Sequence, residues 1–299
     1  MKKIFLTGGT GFFGKSILEK VKNGTYNDYS FTILSRDPVK FLTENPQFNN
    51  LKQVQFITGD VRNFTFPKEE FDYIFHAGTP AMHMPVGVER DIIINGTKRI
   101  LDFAKYCNAQ KILFVSSGAV YGKQPSNVEF FSEDYLCKPY TEYGIAKLEA
   151  EEMCKASSVF TIIPRCFAFT GKYLNRNIHF AIGNFIRDAL VNKPIILTGD
   201  GTPYRSYLYA DDLVEWLFTL LEKGENKESY NVGSDYAISI ANLAKLVKKV
   251  FNSNSEIIIK GIPQKGVSPE RYIPSIKKAK ELGLSVKVSL EDAILKSVN

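Results

Sequence analysis

Cysteine is scarce in this sequence and shows no pairing. Cys107, Cys137, Cys154 and Cys166 form no C-x-x-C motif and have no metal-type spacing to the three histidines. A disulfide framework and the common zinc patterns are thereby excluded, and the pattern suits reduced thiols in a cytoplasmic protein with no metal. Long apolar runs are absent too. No stretch approaches the roughly 18 residues of a membrane helix. The apolar residues behind Met1-Lys2-Lys3 end at Thr7, too short for a secretory core and readable as a strand. The expectation is a soluble cytoplasmic protein with no membrane partner. Low-complexity linkers and internal repeats are missing, and 44% apolar with 23% charged residues is ordinary for a globular chain. Its 299 residues suffice for one large domain or two. No concentrated basic patch stands out: the net charge of +6 is spread, and Lys248-Lys249 and Lys277-Lys278 read as solvated helix faces. Nucleic acid is therefore not an expected partner. Mild positive charge does suit an anionic substrate.

What is present is concentrated at the start. In Lys3-Ile4-Phe5-Leu6-Thr7-Gly8-Gly9-Thr10-Gly11-Phe12-Phe13-Gly14, a short apolar strand feeds regularly spaced glycines into a helix. Gly8 allows the tight turn, Gly11 lets backbone approach a pyrophosphate, and Gly14 lets the helix pack close to the strand. Thr10, Phe12 and Phe13 complete a loop whose amides would hold the anion at the positive helix end.

Strand-like runs then alternate with helix-period segments through the first half, the pattern of a parallel sheet with helices on both faces. Strands are expected at Lys3 to Thr7, Phe31 to Ser35, Val54 to Thr58, Tyr73 to His76, Ile112 to Ser116 and Phe160 to Pro164. Helices are expected at about Phe13 to Val21, Val39 to Thr43, Glu89 to Tyr106 and Thr141 to Lys155. Beyond Arg165 the rhythm changes to Gly, Asn and aromatics, and a sheet-covering helix pattern returns after Asp211-Asp212. The fold class is α/β: a Rossmann-type doubly wound parallel sheet plus a smaller, interleaved C-terminal α/β domain. Residues 1–165 and about 205–225 are assigned to dinucleotide binding, and about 166–204 and 226–299 to substrate.

Several strand ends carry candidate chemistry. The second ends Ser35-Arg36-Asp37, and an Arg at this tip favours a 2′-phosphate where an acid would bind a ribose 2′-hydroxyl. NADP(H) is thus favoured over NAD(H), with Asp37 already explained as a helix cap before Pro38. Asp60-Val61 follows the third strand, where Asp60 would accept from an adenine amino group. His76-Ala77-Gly78-Thr79 follows the fourth, with small residues that admit a cofactor and a histidine that reads as packed. After the fifth strand comes Ser116-Ser117-Gly118-Ala119-Val120-Tyr121-Gly122, and then Tyr143 and Lys147 one helical turn apart. At about 5 Å and an effective dielectric of about 20, Lys147 would favour the Tyr143 phenolate by roughly 3 kcal/mol, about two pKa units below the reference near 10. Tyr143 would then exchange protons near neutral pH.

On these motifs the chain resembles the extended short-chain dehydrogenase/reductase family, in its nucleotide-sugar epimerase/dehydratase/reductase branch, over nearly its whole length. The shared features are Thr7 to Gly14, Asp60, Ser117 with Val120-Tyr121-Gly122, Tyr143 with Lys147, Asn95-Gly96-Thr97, and a later run of Gly199-Asp200-Gly201, Arg205 and Tyr209-Ala210-Asp211-Asp212. The resemblance implies that Lys147 holds the nicotinamide ribose, Asn95 belongs to the cofactor side, and Ser117 and Tyr143 meet the reacting sugar oxygen. It also implies that Arg205 and Arg271 pair with a substrate diphosphate, and that the chain forms a homodimer through the two helices carrying Glu89 to Tyr106 and Thr141 to Lys155. Gly118-Ala119 stands where the dehydratases carry Asp-Glu and the decarboxylases a Glu, so elimination and decarboxylation lack their acid and base. Ala168 replaces a common Asn. No Cys or Lys stands where the family's two-base epimerases show a second proton carrier, although Cys137 and Lys138 are near in sequence. The expected activity is reduction of the C4 ketone of a nucleotide-linked 4-keto-6-deoxy sugar for surface-polysaccharide synthesis. The alternatives are an NAD-dependent nucleotide-sugar 4-epimerase and a non-catalytic relative that senses NADP(H) or binds RNA or protein.

Overall fold

The computed structural model describes residues 1–78, 87–178 and 180–298. Contacts group them into two units, one of Met1–Gly122, Cys137–Cys166 and Val214–Tyr230, the other of Lys123–Leu136, Phe167–Leu213 and Asn231–Asn299. The excursion Lys123–Leu136 has no counterpart in the division read from the sequence.

The first unit is built on an eight-stranded sheet. Its strands include β1 (Lys2–Thr7), β2 (Tyr29–Ser35), β3 (Val54–Thr58), β4 (Tyr73–His76), β5 (Lys111–Phe114), β6 (Ser116–Ser117) and β7 (Thr161–Cys166). Across the sheet the order is β3, β2, β1, β4, β5, β7 and then Ser229–Val232, with β6 beside β7. Pairings from β3 through β7 are parallel. Helices α1 (Phe12–Lys22), α2 (Pro38–Glu44), α3 (Val88–Tyr106) and α4 (Glu142–Ala156) make the crossovers. Strand alternation sends side chains to two apolar layers. The Phe5 ring lies 4.6 Å from Phe103 of α3, whereas Phe31 and Phe75 meet Phe218 of the helix Ala210–Lys223 at 6.3 and 5.7 Å on the opposite face. This is the doubly wound α/β arrangement. Its strand order reverses between β1 and β4, where ligands bind such sheets at the strands' carboxyl ends.

The strand expected at Ile112 to Ser116 is split into β5 and β6, and the one expected at Phe160 to Pro164 runs instead from Thr161 to Cys166. One residue accounts for the split. Ile112 N–H donates to the Phe160 carbonyl, and the register continues through Ser116 opposite Arg165. In a parallel ladder of that register the donor to the Phe114 carbonyl is Pro164, which has no N–H.

The second unit has a three-stranded sheet of Ile238–Ser239, Tyr204–Arg205 and Arg271–Tyr272. Its core gathers Phe185, Ile186, Ile195, Leu243 and Val247. Asn231 explains the excursion: its side-chain amide donates to the Phe131 and Ser275 carbonyls, at 2.8 and 3.2 Å. Among the described residues no helix is long and apolar enough to cross a membrane, and no group of three or more metal-binding side chains converges.

Candidate active site

At the reversal point, β1 ends in the glycine loop. Gly8 has φ +75°, and a Cβ there would sit 2.4 Å from the Ala77 carbonyl oxygen. A side chain is excluded on both counts. A Cβ at Gly14 would strike Gly9 backbone at 2.2 Å, so loop and helix are packed together. Gly11 is different: the nearest atom to its Cβ position is Gly8 oxygen at 3.4 Å, and no side chain caps the first turn of α1. The space a Cβ would fill is left open beside a helix N-terminus, and that cradle fits a diphosphate. Thr10, Phe12 and Phe13 flank it, half-buried.

A chain of neutral hydrogen bonds joins β1 to β4. Gly78 N–H donates to Thr7 Oγ1 at 3.0 Å, and Thr7 Oγ1 lies 2.7 Å from His76 Nδ1. Thr7 Oγ1 thus accepts from Gly78 N–H while sharing a hydrogen bond with His76 Nδ1, and the other ring nitrogen, Nε2, lies 3.3 Å from Thr97 Oγ1. Complete burial, and then the Lys147 charge, depress the His76 pKa to about 3. His76 is thus a neutral strut, and Ala77 and Gly78 are held beside Gly8. Thr79 lies outside the described residues.

The same detour prepares the place of Lys147. Val115 N–H continues the β4 ladder to the His76 carbonyl at 3.0 Å. The next donor on that side would be Gly78 N–H, which Thr7 has taken. Lys147 Nζ donates to the Val115 carbonyl at 2.9 Å instead. It lies 5.9 Å from the Tyr143 ring centroid, and Thr141 caps α4 through Gly144 N–H, which sets Tyr143 in the first turn and Lys147 in the next. Burial depresses the Lys147 pKa to about 8 against several nearby acidic groups that raise it. The ammonium therefore predominates at neutral pH.

The two serines part company. Ser116 Oγ donates to the buried Glu151 carboxylate at 2.5 Å and is committed to the interior. Ser117, on the other face of β6, accepts from Ala119 N–H at 3.2 Å, which leaves its hydroxyl proton for an oxygen in front of it. Ser117, Tyr143 and Lys147 all belong to the first unit. Cys137 offers no ready proton carrier, since burial pushes its thiol pKa up.

On the adenine side, Ser35 is buried, accepts from Asp37 N–H at 3.3 Å, and is followed by an exposed Arg36. Asp37 is spent as the cap of α2, accepting from Lys40 N–H at 2.9 Å. Asp60 receives Arg62 Nε and Nη2 on its two oxygens at 2.8 and 2.9 Å. Those bonds lower its pKa, with Arg36 adding a smaller share. Arg62 also donates to Asp91 at 2.7 Å, and Asn95 donates to the same carboxylate at 2.5 Å from an exposed position on α3. Val61 packs against Gly96, where a Cβ would meet it at 2.9 Å. Arg62 and Asp91 are absent from the sequence reading; the Asp-x-Arg spacing was their only signal.

In the second unit Arg205 pairs with Tyr272 and Tyr204 with Arg271 across parallel strands. The two arginines thus leave alternate faces of that sheet. The Arg271 guanidinium lies over the Tyr204 ring at 5.0 Å, and its buried Nε has no hydrogen-bond partner among the described residues. Arg205 donates to the Tyr204 carbonyl at 2.8 Å.

Known proteins share this architecture. The sequence profile of the NAD dependent epimerase/dehydratase family matches residues 4–233. UDP-glucuronic acid decarboxylase 1 of Danio rerio is 28% identical over 314 residues, spanning 99% of this chain and 72% of its own. The dTDP-D-glucose 4,6-dehydratase of Mus musculus is 27% identical over 319 residues, spanning 99% and 88%. Among solved structures, the UDP-glucuronic acid 4-epimerase of Bacillus cereus in complex with NAD superposes with a TM-score of 0.83 at 25% identity, covering 99% of this chain and 96% of the other. The UDP-glucose 4-epimerase of Thermotoga maritima with UDP-glucose gives 0.81 at 25%, covering 99% and 97%.

Proposed function

The chain belongs to the NAD dependent epimerase/dehydratase family of nucleotide-sugar enzymes, and from that premise we propose that it reduces the C4 ketone of a nucleotide-linked 4-keto-6-deoxy sugar with NADPH. The observation that carries the reductase over an epimerase is Ser35-Arg36 at the tip of β2, with Arg36 exposed; Gly118-Ala119 directly after Ser117, where β6 gives way to a short turn with no carboxyl group, sets aside the other two chemistries. Neither dehydration nor decarboxylation has its acid or base there, and hydride transfer with protonation of the oxygen needs neither.

A bound nicotinamide supplies the hydride. The Gly8–Gly14 loop would hold the diphosphate, with the open side at Gly11 and with Gly8 and Gly14 setting the turn and the helix packing; Ala77 and Gly78 would lie against the dinucleotide, Asp60 and Val61 would receive adenine, and Ser35 and Arg36 would take the ribose 2′-phosphate. Asn95 would complete that side; Thr79, assigned there from the sequence, lies outside the described residues. Lys147, fixed by the Val115 carbonyl, grips the nicotinamide ribose and keeps positive charge near Tyr143. Ser117 donates to the ketone oxygen, and Tyr143 delivers the proton as that oxygen becomes an alkoxide. Arg205 is assigned to the substrate diphosphate. Arg271 is assigned to the same anion by the family resemblance, but it leaves the opposite strand face and lies over Tyr204, so its guanidinium would have to swing off that ring to join Arg205. A cytoplasmic homodimer through the outer faces of α3 and α4, where Tyr106 and Ile145 are exposed, goes with this reading.

A 4-epimerase using the same Ser117, Tyr143 and Lys147 is the second reading, favoured by the likeness to the two 4-epimerases, one of them solved with NAD. The test is absorbance at 340 nm of the protein with NADPH and dTDP-4-keto-6-deoxyglucose, with NADH in parallel. Stoichiometric loss with NADPH is expected. No loss, together with co-purifying NAD and interconversion of UDP-sugars at C4, overturns the reductase in favour of the epimerase. A chain that binds cofactor and turns over neither sugar is the non-catalytic relative.

A further inference from the structure

Behind Ser117 lies a buried ionic network with no part in the chemistry described so far. Glu151 is fully buried and Arg165 nearly so. Arg165 Nη2 donates to Glu151 Oε2 at 2.8 Å and Nε to Oε1 at 3.1 Å. Arg165 Nη1 donates to the Tyr121 hydroxyl at 3.0 Å, with the guanidinium 4.9 Å from that ring's centroid. Glu151 Oε1 also accepts from Ser116 Oγ at 2.5 Å. Burial alone would lower the Arg165 pKa, but the bonds to Glu151 and its charge prevail and hold the group protonated. Two buried ions are a poor means of stability, since apolar residues of equal volume often do as well or better.

The placement of the four residues is more informative. Ser116 immediately precedes Ser117, and Tyr121 ends the turn that follows it. Arg165 faces Ser116 in the β6–β7 register. Glu151 is one helical turn beyond Lys147, itself one turn beyond Tyr143, so the three share one face of α4. We infer that Glu151 and Arg165 are positioning residues which lock α4 against the Ser116–Tyr121 segment and so set the Ser117 hydroxyl relative to Tyr143 and Lys147. The pair acts through Ser116 and Tyr121, one on each side of Ser117. In kinetic terms the inference rests on the oxidoreductase reading; in structural terms it stands without it.

The test uses Ser116→Ala and Tyr121→Phe, which each remove one hydroxyl and leave the ion pair whole, beside Glu151→Gln, which breaks it and can cost the fold. Amide hydrogen exchange is read at Ala119, whose N–H bonds to Ser117 Oγ, and at Gly122. In Ser116→Ala, protection at Ala119 is expected to fall about tenfold, with cofactor affinity unchanged within about twofold. With the 4-keto sugar, kcat should fall about tenfold at nearly constant KM, the scale of a small misplacement of reacting groups. Ser116→Thr, which keeps the hydroxyl, should restore both. Exchange at Ala119 that matches wild type in both single variants overturns the inference, whatever happens to Tm. If wild type turns over neither sugar, the functional reading fails, and the exchange data still decide this one.

Discussion

The carboxyl ends of β1 and β6 serve one site and are built from opposite materials. At β1 the work is done by shape and by neutral groups: glycines whose Cβ positions are occupied or open, and a Thr7–His76–Thr97 chain from which charge is excluded. At β6 it is done by buried charge, with Lys147 on a backbone carbonyl and the Glu151–Arg165 pair behind the serines. The contrast teaches that cofactor binding and proton transfer should fail separately. Damage to β1 should be read in affinity and stability, and damage to β6 in turnover.

Tyr143→Phe is the sharpest way to break the β6 end. The ring and its packing stay, and the proton donor goes. A loss of about 10³-fold in kcat is expected, within the usual range for a positioned acid or base, with the NADPH dissociation constant essentially unchanged by fluorescence titration. Comparable losses in both would show that the two ends are not separable.

Gly8→Ala attacks the other end. The new methyl requires φ +75° and meets the Ala77 oxygen at 2.4 Å, so a stability loss of about 2–4 kcal/mol is expected from strain and clash together. Urea unfolding and cofactor titration check it. Cofactor affinity should fall at least tenfold, and kcat at saturating cofactor should fall far less.

The charged and neutral ends should also answer to pH from different sides. Activity that needs the Lys147 ammonium should decline as pH rises through about 8, and a kcat profile that stays flat to pH 10 would remove Lys147 charge from the mechanism. For His76 the folded chain keeps the ring neutral down to about 3, while the unfolded chain takes up a proton near 6.5. The unfolded state therefore binds more protons between those values, and stability falls as pH drops through 6.5, by up to ~1.4 kcal/mol per pH unit. Between pH 7 and pH 5 wild type should lose ~2 kcal/mol more than His76→Gln in urea unfolding.

Much of the β1 end was legible in the sequence because its determinants are consecutive: a strand, a turn that needs glycine, and a helix. Tyr143 and Lys147 were legible as a helical interval. The residues that escaped are those whose partners lie far along the chain. Nothing local to Ser116 tells it apart from Ser117; the difference is Glu151, 35 positions on. Arg62 reaches Asp91 only because α3 returns past the end of β3. Pro164 was read as closing a strand and instead interrupts a ladder from within it, because its missing N–H matters only once the partner strand is known.

The smallest expected effect concerns the edge of the β1 end, where charge does enter. Arg36 is exposed, Asp37 caps α2 by accepting from Lys40 N–H, and Ser35 Oγ accepts from Asp37 N–H, so Arg36 is the group at the tip of β2 suited to a 2′-phosphate. A hydrogen bond from an exposed guanidinium to a 2′-phosphate contributes about 1.5 kcal/mol, the low end for a charged pair because water competes at the surface. Arg36→Ser should therefore weaken NADPH by roughly tenfold and leave NADH within about twofold. The loss should shrink in 0.5 M salt, since an exposed charge pair is screened there. Equal losses for both dinucleotides would assign Arg36 to the adenine ring or the fold, and would remove the ground for favouring NADPH. The neutral design of the β1 end would then extend to its rim, and the epimerase reading would gain what the reductase lost.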